Sequence, residues 1–290
     1  MGGFLRRHKR IVPYLLLAPG LIWLALFYVV PGVQMFVTSF WSGTLETGYE
    51  FALSNISNYT AALSRFAPQF LRSILYGGAA TILTFAISYP LAYTIAFRGG
   101  RYKNLLLFLV VAPFFTSFLL RTLSWKIILG DSGILLGPLK NIGLLPEEFR
   151  VLATPIAVVF GITYNFLPFM TLPIYVSLEK IDRRLVEAAE DLFATSIGAF
   201  RRITLPLSLP GVFAGSLLTF IPAMGDYVNA ELLGNPDTTM IGNVIQNQFL
   251  TQNNYPTASA LSFLLMAGIL IAVGIYARLL GTEELTAGGV

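Results

Sequence analysis

The chain is divided into long stretches without a charged residue, separated by short clusters of charge. Six such stretches occur, at 11–45, 73–97, 104–120, 151–178, 203–225 and 238–277. An α-helix needs about 20 apolar residues to cross the hydrocarbon core of a bilayer, with a working range of about 17–25. The last stretch is long because a polar uncharged segment, Asn243 to Pro256, precedes its apolar part. The pattern predicts a polytopic membrane protein with six transmembrane helices.

The predicted fold class is all-α, with the whole chain, 1–290, forming one membrane domain. We place the helices near 12–38, 71–97, 104–129, 153–178, 204–224 and 257–280. The first is interpreted as an uncleaved helix, because its apolar run is too long for a signal peptide and no A-x-A cleavage site follows it. A transmembrane barrel would show segments of about ten residues with alternating polarity, whereas these runs are continuously apolar.

Composition agrees with a membrane location and excludes several kinds of chemistry. Of the 290 residues, 55% are hydrophobic and only 12% are charged, against about 25% charged in soluble domains. Cysteine is absent and the single histidine, His8, lies in a basic N-terminal run. Disulfides, thiolate metal sites and cysteine nucleophiles are therefore excluded, and no metal site is expected. No G-x-x-x-x-G-K phosphate loop occurs, so no nucleotide site is expected in this chain.

The positive charges predict the orientation. With six helices, one side of the membrane holds 13 of the 19 Lys and Arg residues and the other side holds six. Cytoplasmic loops carry the excess of Lys and Arg, so both termini are predicted to be cytoplasmic and the net charge of +4 needs no nucleic-acid partner. The external loops are then 39–70, 130–152 and 225–256, and the conspicuous cytoplasmic loop is 179–203.

The loop 179–203 contains a short amphipathic helix. Asp182 is a suitable N-cap for a helix running through RRLVEAAEDL. Apolar residues recur along it at three- and four-residue spacing: Ile181, Leu185, Ala188, Ala189 and Leu192. A break at Ala194–Ser196 precedes a second turn, Ile197–Ile203. Two interpretations are open, a helix that docks into a groove of a soluble partner and a helix that lies on lipid headgroups; the acidic residues on its polar face favour docking.

The same loop resembles the cytoplasmic-loop motif of permease subunits of bacterial binding-protein-dependent ABC importers. That motif is E-A-A, three residues, Gly, nine residues and I-x-L-P. Glu187, Ala188 and Ala189 match its start, and Ile203, Leu205 and Pro206 match its end. Phe193 stands where the family has Gly, which puts the form of the turn after the first coupling helix in doubt. The six-helix pattern around the motif extends the resemblance to nearly the whole chain.

The resemblance implies partners and a location. The chain would form a heterodimer with a second permease in the bacterial inner membrane, on two ATPase subunits that bind ATP and Mg²⁺, and an external solute-binding protein would deliver the substrate. The chain itself would be neither an enzyme nor a holder of cofactors. Glu187 would pair with a basic group of the ATPase, while a structural Glu187 that caps a helix or bridges to Arg183 or Arg184 is the alternative. The implied ATPase-coupling residues are Glu187, Ala188, Ala189, Asp191, Leu192, Phe193, Ile203, Leu205 and Pro206.

The segment 221–250 resembles the spermidine/putrescine branch of these importers, especially its first permease subunit. The likeness rests on G-D-Y-V at Gly225–Val228, E-L-L-G at Glu231–Gly234 and M-I-G-N-V-I-Q-N-Q-F at Met240–Phe249. It implies uptake of polyamines. Another organic solute on the same machine, such as an opine, an aminophosphonate or another cation, is the alternative, because other permeases share parts of this segment.

A polyamine is a flexible polycation, which spaced carboxylates and aromatic faces can bind. An acid at membrane depth is costly unless it is paired or hydrated, so Asp226 is the first candidate for the substrate pathway. Tyr227, Asn229 and Glu231 lie within one turn of it if the helix continues. Weaker candidates lie on the two preceding helices: Tyr164, Asn165, Trp125 and Asp131.

Other roles are open for the same residues. Asp226 and Glu231 are also suited to ion pairs with Arg121 or Lys126, or to contact with the external binding protein. The tyrosines and Trp125 are also suited to packing or to the aromatic belt at the membrane interface.

A stand-alone secondary transporter and a membrane scaffold without transport are the rival classes. A secondary transporter would show paired interrupted helices in two related halves, or charges in the middle of its spans. The sequence shows no convincing internal repeat and no charge at the centre of a predicted span.

Overall fold

The structure is a computed structural model that describes residues 12–44, 47–52 and 55–279. Two short strands and a series of helices form its elements. In chain order these are α1 (Val12–Leu24), α2 (Val30–Thr38), β1 (Trp41–Thr44), β2 (Gly48–Phe51), α3 (Ser57–Tyr93), α4 (Lys103–Val111), α5 (Phe118–Ile128), α6 (Leu136–Asn141), α7 (Pro155–Glu179), α8 (Arg183–Asp191), α9 (Ser196–Ala199), α10 (Leu205–Met224), α11 (Val228–Leu233), α12 (Ile241–Gln246) and α13 (Tyr255–Leu279).

Several of these helices continue into one turn of π- or 3₁₀-helix. The π-helical turns are Ala25–Val29, Thr94–Arg98, Phe200–Thr204 and Asn247–Thr251. The 3₁₀ turns are Gly100–Tyr102, Ala112–Phe115 and Pro236–Thr238. The first π-turn joins α1 to α2, so the predicted helix 12–38 is confirmed as one helical stretch.

Within the described residues, five helices are long and apolar enough to cross a membrane, namely Tyr14–Thr38, Ser57–Arg98, Pro155–Glu179, Ser196–Met224 and Tyr255–Arg278. Gly100–Phe115 and Phe118–Ile128 meet this criterion only as a pair and are bent by 93°, the geometry of a broken span or a re-entrant loop. The prediction of an all-α polytopic membrane protein is therefore confirmed, and the bent pair lies where the third of the six spans is predicted. The expectation of one continuous helix over 104–129 is wrong, because the 3₁₀ turn that contains Pro113 ends the first limb and Thr116 is extended.

Two helices begin earlier in the structure than the sequence predicts. The helix expected at 71–97 begins at Ser57, so 57–70 of the predicted external loop is helical. The helix expected at 204–224 follows the turn Ser196–Thr204 without a break, and the helical stretch therefore starts inside the predicted cytoplasmic loop.

The described chain separates into two compact units, and the boundary within α3 falls at Phe66, whose backbone is not helical (φ −112°, ψ 15°). The first unit comprises the described residues up to Arg65 together with Asn247–Leu264. In it, the hairpin β1–β2 pairs Trp41 with Phe51 in antiparallel register. The Tyr49 hydroxyl donates to the carbonyl oxygen of Asn253 at 2.9 Å, which holds this hairpin against the chain before α13.

The second unit comprises Phe66–Gln246 and the described residues from 265 onward. Its core lies between α7 and α10, which approach closely because glycines face the neighbouring helix. A Cβ atom at Gly211 would lie 2.5 Å from the carbonyl oxygen of Pro173, and one at Gly215 would lie 2.9 Å from the sulfur of Met170. Small residues allow such close packing between membrane helices, where burial of apolar surface gives little driving force.

Candidate functional sites

The loop predicted to contact a soluble partner contains the amphipathic helix α8. Asp182 is its N-cap, and the Asp182 Oδ1 atom accepts a hydrogen bond from the backbone N–H of Arg184 at 3.0 Å. None of the residues in α8 is buried within the chain. At the end of the helix, the side chains of Leu192 and Phe193 are 81% and 97% exposed. The apolar stripe of α8 is therefore largely uncovered, as a docking surface requires.

The nine predicted coupling residues fall into two groups. Glu187, Ala188, Ala189, Asp191, Leu192 and Phe193 lie on α8 or directly after it, and all but the half-buried Ala189 are exposed. The other three, Ile203, Leu205 and Pro206, are half-buried at the start of the long helical stretch, where Leu205 packs against the core. We name the exposed group together with Ala189 the coupling surface. The second group packs where the loop joins the membrane helix.

Glu187 has no ion pair and no side-chain hydrogen bond among the described residues. The alternative in which it bridges to Arg183 or Arg184 therefore has no support, and the guanidinium of Arg183 contacts the end of α3 instead. The Glu187 carboxylate is free to pair with a group outside the chain.

The turn after α8 explains the family's glycine at position 193. The backbone N–H of Ala194 donates to the Ala189 carbonyl at 3.0 Å, and that of Phe193 donates to the Glu190 carbonyl at 3.0 Å. These two bonds form a Schellman motif, which places its C′ residue in the left-handed region. Phe193 occupies that position with φ +61°, a conformation that costs a residue with a Cβ about 1–2 kcal/mol. The turn therefore forms with Phe193, but under backbone strain.

We expect Phe193→Gly to stabilise this turn by about 1 kcal/mol, because glycine adopts a positive φ without the Cβ clash but loses more chain entropy on folding. Amide hydrogen exchange at Ala194 measures the effect and should slow by about fivefold, since 1.4 kcal/mol corresponds to a factor of ten. Leu192→Gly is the control, because Leu192 has φ −87° and gains no relief. Faster exchange at Ala194 in the Phe193 variant would contradict this account.

The candidate substrate residues meet in part at a second site, where four polar side chains come together. We name Thr122, Asn165, Asp226 and Asn229 the polar cluster; all four are buried. They come from α5, α7, the connection before α11, and α11. Close approach of α11 to α7 depends on Gly161, where a Cβ atom would lie 2.6 Å from the Asn229 Oδ1 atom.

Hydrogen bonds connect the polar cluster. The Asp226 Oδ1 atom accepts from the Asn229 backbone N–H at 2.9 Å, and Oδ2 accepts from Asn229 Nδ2 at 2.6 Å. The Asn229 Oδ1 atom accepts from Asn165 Nδ2 at 3.2 Å and from the Thr122 hydroxyl at 3.3 Å. The Asn165 Oδ1 atom is buried and has no hydrogen-bond partner within residues 12–44, 47–52 and 55–279. The cluster therefore combines a carboxylate that is only 7% exposed with an unused acceptor, which suits a ligand that donates hydrogen bonds.

The remaining candidates lie outside the polar cluster. The predicted end of this helix at 224 is confirmed, because α10 ends at Met224. The next helix, α11, begins at Val228, so Tyr227, Asn229 and Glu231 do not continue one helix with Asp226. Tyr227 is 43% exposed, and its carbonyl and the Glu231 carboxylate accept from Asn243 Nδ2.

Trp125 and Tyr164 pack edge to face, with ring centroids 5.2 Å apart. Asp131 forms exposed ion pairs with Lys140 at 3.1 Å and Arg150 at 3.2 Å. Its charge is therefore already compensated within the chain.

Ion pairs from Asp226 or Glu231 to Arg121 or Lys126 do not occur among the described residues. Arg121 is instead buried, with 8% exposure, against the rings of Phe114 and Phe118. Its Nε and Nη1 atoms have no hydrogen-bond partner in the part of the chain that the structure describes. The sequence does not mark this buried charge or Thr122 as part of a site, because neither residue belongs to a recognisable motif.

The described chain therefore combines helices long enough to cross a membrane, an exposed amphipathic helix on one loop and a buried polar cluster. Comparison with protein families places residues 88–280 in the family described as binding-protein-dependent transport system inner membrane component. The chain belongs to this family. It is therefore a transport permease of the inner membrane and not an enzyme. This assignment confirms the predicted class of protein and does not agree with a stand-alone carrier.

Individual relatives support the same assignment. The chain is 40% identical to the spermidine/putrescine transport system permease protein PotB of Haemophilus influenzae, over 88% of this chain and 90% of that protein. It is 35% identical to the protein of the same description from Escherichia coli, over 87% and 92% of the two chains. Among solved structures, a bacterial ABC transporter involved in the import of the acidic polysaccharide alginate has a chain with a TM-score of 0.75, at 20% identity and with 95% and 97% coverage. The structural likeness confirms the permease fold.

Proposed function

We propose that this chain is one permease subunit of an ATP-driven importer that takes up the polyamines spermidine and putrescine. The observation that carries the proposal is the 40% identity to a spermidine/putrescine permease along nearly the full length of both chains. An importer of another organic solute is the alternative, because substrates differ between permeases that share this fold, as the alginate transporter illustrates.

The polar cluster gives the substrate proposal a physical basis. Spermidine and putrescine carry ammonium groups, each with three N–H donors and no acceptor. The Asp226 carboxylate supplies negative charge, and the unpaired Asn165 Oδ1 atom supplies a further acceptor at the same site. Tyr227, Glu231 and the Trp125–Tyr164 pair then belong to the approach to this site, where aromatic faces attract cations. Asp131 contributes least to this proposal, since its ion pairs already compensate its charge.

The partners follow from the same family. The chain would pair with a second, similar permease and stand on two ATPase subunits, which bind ATP and Mg²⁺, while an external solute-binding protein delivers the polyamine. Both termini and the coupling loop 179–203 would face the cytoplasm, in keeping with the excess of Lys and Arg on that side. The uncovered coupling surface and the unpaired Glu187 support docking of this loop on an ATPase.

Transport then proceeds by alternating access. ATP binding closes the two ATPase subunits, and the coupling loop moves with the ATPase on which it is docked. Since α7 leads directly into the loop and α10 leads directly out of it, this displacement reaches both membrane helices as a rigid-body shift. The pathway between the two permeases changes from inward-facing to outward-facing and receives the polyamine from the binding protein.

Uptake by the purified four-subunit importer in proteoliposomes, supplied with its solute-binding protein, tests this function. We expect ATP-dependent accumulation of radiolabelled spermidine, with unlabelled putrescine as a competitor and an acidic oligosaccharide without effect. Liposomes with a non-hydrolysable ATP analogue provide the control. An importer that hydrolyses ATP but accumulates another organic solute in place of spermidine would overturn the proposed substrate. The assignment of the chain as a permease subunit would still stand.

A further inference from the structure

The first residue of the coupling helix α8 makes a contact outside the loop. The Nη2 atom of Arg183 donates to the carbonyl oxygens of Ala96 at 3.1 Å and of Phe97 at 3.3 Å. Its guanidinium also lies over the Phe97 ring, 5.8 Å from the centroid. Ala96 and Phe97 belong to the π-turn at the end of α3. From this contact we infer that Arg183 is a positioning residue that fastens the coupling helix to α3, a third membrane helix. The inference deepens, and rests on, the proposed coupling to an ATPase.

The end of α3 is chemically suited to an arginine. The last carbonyls of a helix have no intrahelical donor and carry the negative end of the helix dipole. The helical stretch ends at Arg98, and Gly99 begins the turn into the next element. The guanidinium is planar and presents several N–H donors in a fixed geometry. One side chain can therefore bond two successive carbonyls while it stacks on the adjacent ring.

A second contact ties α3 to the other end of the coupling loop. Phe200, in the π-turn that follows α9, packs edge to face against Tyr89 and Tyr93 of α3, with centroid distances of 5.8 Å and 6.0 Å. The Tyr89 hydroxyl and the Ser208 hydroxyl, on α10, are hydrogen-bonded at 2.7 Å in a buried position. Both ends of the loop therefore hold the same end of α3.

This arrangement determines which membrane helices move when α8 is displaced. The covalent chain links α8 to α7 and α10 only. With the Arg183 contact in place, α8 cannot move away from α3 without breaking two hydrogen bonds, so the end of α3 follows the coupling helix. Without it, the end of α3 still packs against α7 and α10 in a shared buried core, but it loses its two hydrogen bonds to α8.

The neighbouring Arg184 provides a matched control, because it is exposed on the same helix turn and, among the described residues, its backbone N–H but not its side chain is hydrogen-bonded. In the reconstituted importer, Arg183→Ala is expected to lower spermidine uptake per ATP hydrolysed by at least about fivefold, because it removes two exposed hydrogen bonds and about 1 kcal/mol, the net contribution of a single one, corresponds to that factor. The amount of ATPase that copurifies should stay at the wild-type level. Arg184→Ala removes the same charge and should leave both quantities unchanged, and Arg183→Lys should restore part of the ratio.

A distance measurement tests the same contact without any transport assay. Because the chain has no cysteine, the double variant Arg98→Cys and Leu185→Cys gives this chain two attachment sites for spin labels. Pulsed electron paramagnetic resonance then measures the distance between the two labels. We expect the same distance in nucleotide-free and vanadate-trapped importer when Arg183 is present, and different or broadened distances with Arg183→Ala. A distance that changes between the two states with Arg183 in place would overturn the inference. That outcome is separate from a failure of spermidine uptake, which bears on the substrate and not on the contact.

Discussion

Glu187→Lys is expected to reduce uptake by at least about 100-fold and to abolish recovery of the ATPase with the membrane subunits. Juxtaposed like charges at an interface cost several kcal/mol, and under the proposed docking this substitution would place a positive charge opposite a basic group of the ATPase. Because the side chain is exposed and no described residue pairs with it, the fold of the chain should be unaffected. Affinity purification of the permease pair, with the copurified ATPase quantified, measures the effect.

Glu148→Lys is a suitable control for this prediction. Glu148 is also exposed, but it lies on the segment between α6 and α7, away from the coupling surface. It undergoes the same reversal of charge and should leave the amount of copurified ATPase unchanged. Normal recovery of the ATPase with Glu187→Lys would remove Glu187 from the docking interface.

Asp226→Asn should lower the rate of spermidine uptake by about 10- to 100-fold, since a hydrogen bond to a charged group contributes about 1.5–3 kcal/mol. The substitution removes the negative charge of the polar cluster. It also places an N–H₂ group where one carboxylate oxygen now accepts from Asn229. Uptake kinetics over a range of spermidine concentrations, with saturating binding protein, measure the loss. Binding of spermidine to the isolated binding protein does not involve this chain and should stay constant.

The same chemical change at Asp131 supplies the control. Its ion pairs with Lys140 and Arg150 are partly exposed, and such pairs contribute about 0–1 kcal/mol, so Asp131→Asn should leave uptake almost unchanged. Thermal unfolding of both variants separates loss of the site from loss of the fold. Equal uptake kinetics in wild type and a stably folded Asp226→Asn would exclude Asp226 from the substrate pathway.

The sequence predicted the membrane helices well because their signal is local. Runs without charge must lie in lipid or in the protein interior, and their lengths match the bilayer. The N-cap of α8 was predicted for the same reason, since Asp182 bonds the backbone only two residues away. The sequence does not determine the form of the turn at Phe193, because only the backbone shows that this position has a positive φ.

The features that the sequence did not predict depend on contacts between distant segments. Thr122 and Asn165 come into hydrogen-bond contact with Asn229 only when three helices pack together. No motif in the sequence around Thr122 indicates that it belongs to a site. The bend within the third predicted span was missed because Pro113 alone is tolerated in membrane helices. In the structure, the extended Thr116 follows the 3₁₀ turn and separates α4 from α5.

The 93° bend between Phe115 and Phe118 has a consequence for the surroundings of this part of the chain. The first turn of α5 has backbone N–H groups without intrahelical acceptors, and lipid cannot satisfy them, so such a break is stable only against protein or a hydrated cavity. In a membrane, the segment between Phe115 and Phe118 is therefore expected to be shielded from the lipid chains.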